Sequence, residues 1–137
     1  MLYTAKRYPL ALELFRKLRN CAHTHRDIIS KIYALKQMGL CFGKLEKHES
    51  AAICYKYLLA LAWTCDSLEA ELCAYEGLAS THLYLGNIQK VRFYDARISL
   101  GRYEPEQSQG RLITVAATIT QHPWLKEITK KSQLAKG

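Results

Sequence analysis

The chain has 137 residues, one domain's length, and its 49% hydrophobic and 23% charged residues are the balance of an ordinary folded domain. The longest apolar stretch, residues 58–63, is far short of the roughly 20 residues a membrane helix needs. Met1-Leu2-Tyr3 running straight into Lys6-Arg7 lacks the apolar core of a secretory leader.

The net charge of +8 is uneven. Residues 1–60 carry 11 Lys or Arg against 4 Asp or Glu; residues 61–80 carry 4 acids and no base; residues 81–137 carry 9 against 4. A basic surface interrupted by one acidic stretch steers acidic partners, although a solvated surface is the plainer reading. With only 7 Gly and 3 Pro, the composition favours helices.

In chain order, residues 8–21 read as a first helix with Pro9 in its first turn, where the missing N–H costs nothing. Leu10, Leu14, Phe15 and Leu18 form a stripe at helical spacing. Thr24 and Asp27 are candidate caps in the polar bend that follows. A second helix over 28–43 carries Ile28, Ile32, Leu35, Met38 and Phe42 on one side. A third, 47–64, carries Ala51, Cys54, Tyr55, Leu58, Leu61 and Ala62. Asp66 and Glu69 have the spacing of a capping box for a fourth helix, which ends near Leu85 before Gly86-Asn87, a pair suited to positive φ. A fifth helix over 88–100 precedes Gly101, placed as its C-terminal cap. Residues 102–109 read as a loop, and 110–121 and 124–132 as two closing helices parted by His122-Pro123.

One pattern recurs 40 positions along the chain. Ala11, Phe15 and Leu18 return as Ala51, Tyr55 and Leu58; Leu35, Met38, Gly39 and Phe42 return as Tyr75, Leu78, Ala79 and His82; Ala51 returns as Val91. A fixed offset is the mark of stacked supersecondary units. The phrase Leu35-x2-Met38-Gly39-x2-Phe42-x8-Ala51-x3-Tyr55-x2-Leu58 resembles the signature of the tetratricopeptide repeat, a helix-pair repeat whose small residues let helices pack closely. Tyr75-x2-Leu78-Ala79 continues it into Gly86-Asn87-Ile88-Gln89-Lys90-Val91, then departs, because Phe93 and Tyr94 sit one residue early. Tyr8, Ala11, Phe15 and Leu18 match only the second helix of an earlier unit.

The resemblance covers roughly residues 8–100 and implies an all-α array of antiparallel helix pairs, about seven helices in all. It divides into a half repeat at 1–22, helix pairs at 23–66 and 67–101, and a loop with short C-terminal capping helices at 102–137. Its period exceeds the usual length of about 34 residues and is similar to the extended repeats of cytoskeletal and polarity scaffolds. Tyr94-x2-Arg97-x3-Gly101-x2-Glu104 resembles repeat ends in ciliary scaffold proteins, which implies a cytoplasmic setting, cytoskeletal or ciliary. Repeat arrays need about three units and terminal caps. Helix 8–21 has no earlier helix to cover its outer face, so the chain is expected to be an isoform or segment of a longer array, or to meet a partner there.

No constellation for chemistry stands out. Residues 39–45, Gly-Leu-Cys-Phe-Gly-Lys-Leu, are one spacer short of a phosphate loop and have Leu45 where a hydroxyl belongs. Cys21, His23 and His25 lack the spacing of structural zinc ligands. The five cysteines form no CxxC pair, which points to buried free thiols in a reducing compartment. Trp63 and Trp124 read as packing anchors. Neither a catalytic residue, nor a cofactor, nor a metal is assigned.

The resemblance places partner binding in the groove lined by helices 28–43 and 67–85. Its inner positions are Lys36, Gln37 and Leu40, then Glu76, Gly77 and Ser80. The family's chaperone-carboxylate clamp is not carried over, because only Lys36 fits and Glu76 would repel a carboxylate. Lys36, Gln37, Leu40, Glu76, Ser80 and Leu83 are the candidate partner-binding residues, and the outer face of helix 8–21 is the second candidate surface. The expected function is a non-catalytic protein-interaction scaffold within a larger complex. The alternatives are an RNA-binding helical repeat using the basic surface, to which Lys31, Tyr33, Lys36, Gln37 and Lys44 would contribute, and a regulatory subunit of an enzyme. No membrane contact is expected.

Overall fold

The computed structural model describes residues 7–103 and folds them into α1 (Tyr8–Thr24), α2 (Ile28–Lys44), α3 (His48–Cys65), α4 (Leu68–Leu85) and α5 (Ile88–Tyr103), with no strand among the described residues. Successive helices open 20 residues apart, at Tyr8, Ile28, His48, Leu68 and Ile88. The 40-residue period is therefore two helix-plus-turn units of equal length. Connections this short force each helix to run antiparallel to the one before and to pack against it. The predicted helices over 110–121 and 124–132, and Trp124, lie outside the described residues.

The four turns are built alike. Arg26, Glu46, Asp66 and Gly86 take φ of 55°, 60°, 52° and 80°. The N–H of the next residue then reaches back to a carbonyl five residues earlier. Asp27 donates to Ala22 (2.8 Å), Lys47 to Phe42 (2.9 Å), Ser67 to Ala62 (3.0 Å) and Asn87 to His82 (2.9 Å). This is the long bond of the Schellman motif, which satisfies a carbonyl left over at the helix end. Only the last turn uses glycine. An added Cβ on Gly86 would meet nothing within 4 Å, so Gly86→Ala tests backbone strain alone. It is expected to lower stability by about 1 kcal/mol in urea unfolding, the cost of left-handed φ for a residue with a side chain.

The helix starts follow from local chemistry. Asp27 caps α2 by accepting from the Ser30 N–H (3.1 Å) and hydroxyl (2.7 Å). Pro9 occupies the first turn of α1. Thr24 closes α1, its hydroxyl donating to the Asn20 carbonyl (3.0 Å). At α4 the cap is Ser67, which accepts from the Ala70 N–H, in place of the predicted Asp66–Glu69 box. Asp66 is committed one step earlier, to the left-handed residue that ends α3. Gly101 also differs from expectation, since α5 continues through it to Tyr103.

The core is centred on α3, which is buried except along the stripe Glu49, Ile53 and Tyr57. Ala52, Tyr55, Leu58, Leu59 and Trp63 pack with Leu35 of α2, Tyr75 and Leu78 of α4, and Phe93 and Tyr94 of α5. Trp63 is a packing anchor, as expected. Within this core Glu71 is only 2% exposed and accepts a 2.7 Å hydrogen bond from the Tyr75 hydroxyl. A smaller cluster of Leu12, Met38, Cys41 and Cys54 joins α1 to α2 and α3. The inward residues of α1 are thus Leu12 and Ala22, with Tyr8, Ala11 and Phe15 partly buried, while two members of the predicted stripe, Leu10 and Leu14, are 69% and 66% exposed. No described helix is long and apolar enough to cross a membrane.

Candidate partner-binding groove

The first helices of the two pairs, α2 and α4, lie beside each other with Tyr55 of α3 wedged between them. Glycine on both sides makes room for its ring. A Cβ on Gly39 would fall 2.6 Å from Tyr55 Cζ, and one on Gly77 would fall 2.3 Å from Cε1. The ring therefore rests on bare backbone from both helices, and burial pushes its phenol pKa up to about 12. A cleft of about 360 Å³ opens above it, lined by Leu40 and Lys44 of α2, Ser80 and Tyr84 of α4 and His48 of α3. His48 and Tyr84 stack with centroids 4.5 Å apart and planes at 5°, tying the start of α3 to the end of α4. The cleft is half-apolar and open.

Of the six residues predicted for the groove, the cleft brings together Leu40 and Ser80. Gln37 lines a smaller cleft of about 130 Å³ with Tyr8, Leu40, Cys41 and Lys44. Lys36 and Glu76 are exposed and act in opposite senses on one thiol: burial raises the Cys73 pKa, Lys36 lowers it, and Glu76 and Glu69 raise it. Leu83 is 60% exposed and does not line the cleft. The residues that sequence reasoning missed are His48 and Tyr84, whose stacking joins positions 36 apart. No periodicity flags such a pair. Gly77 was legible as an inner position, but not as a seat for Tyr55.

The surface formed by Lys31, Tyr33, Lys36, Gln37 and Lys44 is divided in the structure. Tyr33 packs edge-on against Phe15 at 5.9 Å, Lys31 approaches His23, and Gln37 and Lys44 face the smaller cleft. Residues 39–44 are helical, so their N–H groups serve the α2 ladder rather than a phosphate cradle. Cys21 Sγ lies 3.7 Å from His25 Nδ1, while His23 contacts Lys31. No group of three metal-ligating side chains occurs among the described residues. Burial raises the Cys41 thiol pKa and pushes that of Cys54 up to about 11, which keeps both protonated and unreactive.

Compared with known protein families, curated proteins and solved structures, the chain matches none.

Proposed function

We propose that the chain is a non-catalytic protein-interaction module, a tetratricopeptide-like scaffold component of a larger complex, that holds a segment of a partner protein between α2 and α4. The observation carrying this reading is the Tyr55 wedge. Two glycines give up their side chains so that a ring can space two helices, and the result is an open cleft walled by Leu40, Ser80 and Tyr84. The exposed Leu10 and Leu14 of α1 offer a second apolar surface, suited to a preceding repeat or a partner. The cytoskeletal or ciliary setting rests on repeat length and the stretch from Tyr94 to Glu104 alone.

Capture from cell lysate by the tagged chain tests the reading, with Leu40→Glu combined with Ser80→Arg as the comparison. Both residues are exposed, so the double variant is expected to keep its melting temperature and to lose at least about tenfold of the retained protein. Retention unchanged by the variant would remove the groove from the proposal. Material lost on nuclease treatment would put the RNA-binding alternative first, with the steep salt dependence that released counterions impose.

A further inference from the structure

At the other end of α2 from the groove, α1, α2 and α3 enclose a second cleft of about 360 Å³. Its polar wall is cationic: Arg19 and His23 from α1 and Lys31 from α2. Its apolar floor is Leu35 and Leu61, both buried, with the half-exposed ring of Tyr57 at the side. No acidic side chain among the described residues lines it. Arg19 Nη2 donates to the Asn20 side-chain carbonyl at 3.2 Å, and Lys31 Nζ lies 2.9 Å from His23 Nδ1. An ammonium has no lone pair, so His23 must accept at Nδ1, which leaves its Nε2–H as a donor. Neither Arg19 nor Lys31 has a carboxylate partner among the described residues.

Two cations are therefore held against an apolar floor with no counter-charge among the described residues. Lys31 registers the cost: burial, and secondarily the nearby Arg19, lower its pKa. Natural proteins seldom keep half-buried like charges together unless an anion joins them. One carboxylate would neutralise only one of the two. A phosphate monoester, with a charge of about −1.5 to −2 and three acceptor oxygens, matches both cations and uses the third donor. The apolar floor implies that the phosphate arrives on a side-chain stem. A nucleic acid backbone, by contrast, needs a run of cations rather than one closed cleft.

We propose that the cleft between α1, α2 and α3 binds the phosphorylated side chain of a partner segment, with Arg19, Lys31 and His23 on the phosphate and Leu35, Leu61 and Tyr57 along the stem. Only the choice of a protein as the phosphate's carrier rests on the scaffold reading above.

The test uses the full chain and fluorescent five-residue peptides carrying a central phosphotyrosine, phosphoserine or unmodified tyrosine. At least one phosphopeptide is expected to bind about tenfold or more tightly than the unmodified peptide. Arg19→Gln and Lys31→Met are each expected to abolish that preference. Lys31→Met removes a desolvated charge and is expected to keep or raise the melting temperature, so lost binding would not reflect lost folding. Leu40→Glu, in the groove, should leave phosphopeptide binding unchanged, which separates this site from the first. Equal binding of modified and unmodified peptides, or a preference that survives both cleft variants, would overturn the proposal. So would an oligothymidylate that binds more tightly than either phosphopeptide and is lost in the same variants, since that would make the cleft a nucleic-acid site.

Discussion

Gly77→Ala is expected to destabilise the protein by about 1–3 kcal/mol, although the same change at an ordinary helical glycine stabilises by up to about 1 kcal/mol. The sign turns on Tyr55. An added methyl would sit 2.3 Å from its Cε1 and 2.4 Å from its Cδ1, well inside contact distance. The ring cannot easily retreat, because Gly39 of α2 approaches its hydroxyl end with as little room. Either α4 moves away from α2 or the ring leaves its rotamer, and both disturb the centre of the core. Urea unfolding of Gly77→Ala, Tyr55→Leu and the double variant makes a complete cycle. In the Tyr55→Leu background the alanine is expected to cost much less or to become favourable. A Gly77→Ala protein more stable than the parent would show that Tyr55 does not space the two helices, and the groove argument would go with it.

Acidification from pH 6.5 to 4 should weaken the fold through His82. This imidazole is 3% exposed, accepts at Nδ1 from the Asn87 side-chain amide at 3.3 Å, and stacks on Tyr94 with centroids 6.0 Å apart. Burial, with Lys90 and Lys56 adding to it, lowers its pKa from 6.5 to about 4. A depressed histidine pKa means that the unfolded chain takes up the proton first. The stability this represents is complete above pH 6.5 and is lost progressively as pH falls toward 4. The slope approaches about 1.4 kcal/mol per pH unit within that window. Other histidines and the carboxylates titrate nearby, so the informative quantity is the difference between the parent and His82→Gln. Urea midpoints at pH 7, 6, 5 and 4.5 are expected to converge as pH falls. Parallel profiles would mean that His82 is already protonated in the folded protein or that its proton is accommodated without cost.

The two clefts differ in the chemistry of their walls. The groove over Tyr55 is walled by neutral and aromatic side chains, whereas the cleft beside Arg19 and Lys31 carries charge on an apolar floor. Both use α2, one at each end. A partner spanning the two would lie along a single helix and gain from simultaneous attachment.

The helices and most of their ends were legible in the chain itself, because their signals are local. Pro9, Asp27 and Gly86-Asn87 act within one turn of where they stand, and the recurrence of Ala51, Tyr55 and Leu58 after Ala11, Phe15 and Leu18 needs no knowledge of the fold. Local signals misled where one residue was claimed by two elements. Asp66 has the spacing of a cap, yet the end of α3 takes it as a left-handed residue and Ser67 caps instead. They also misled on α1, where Leu10 and Leu14 fit the helical stripe but only packing against α2 and α3 selects Leu12. Of the candidate groove, Leu40 and Ser80 could be placed from the repeat phrase, while the pairing of His48 with Tyr84 could not. The same holds for Arg19, His23 and Lys31, which the turn between α1 and α2 brings to one cleft. Sequence by itself determined an all-α array with a 40-residue period, since periodicity and turn chemistry depend on near neighbours. Tertiary structure alone decided which glycines hold Tyr55 and which cations share a floor, since those depend on the distance between helices.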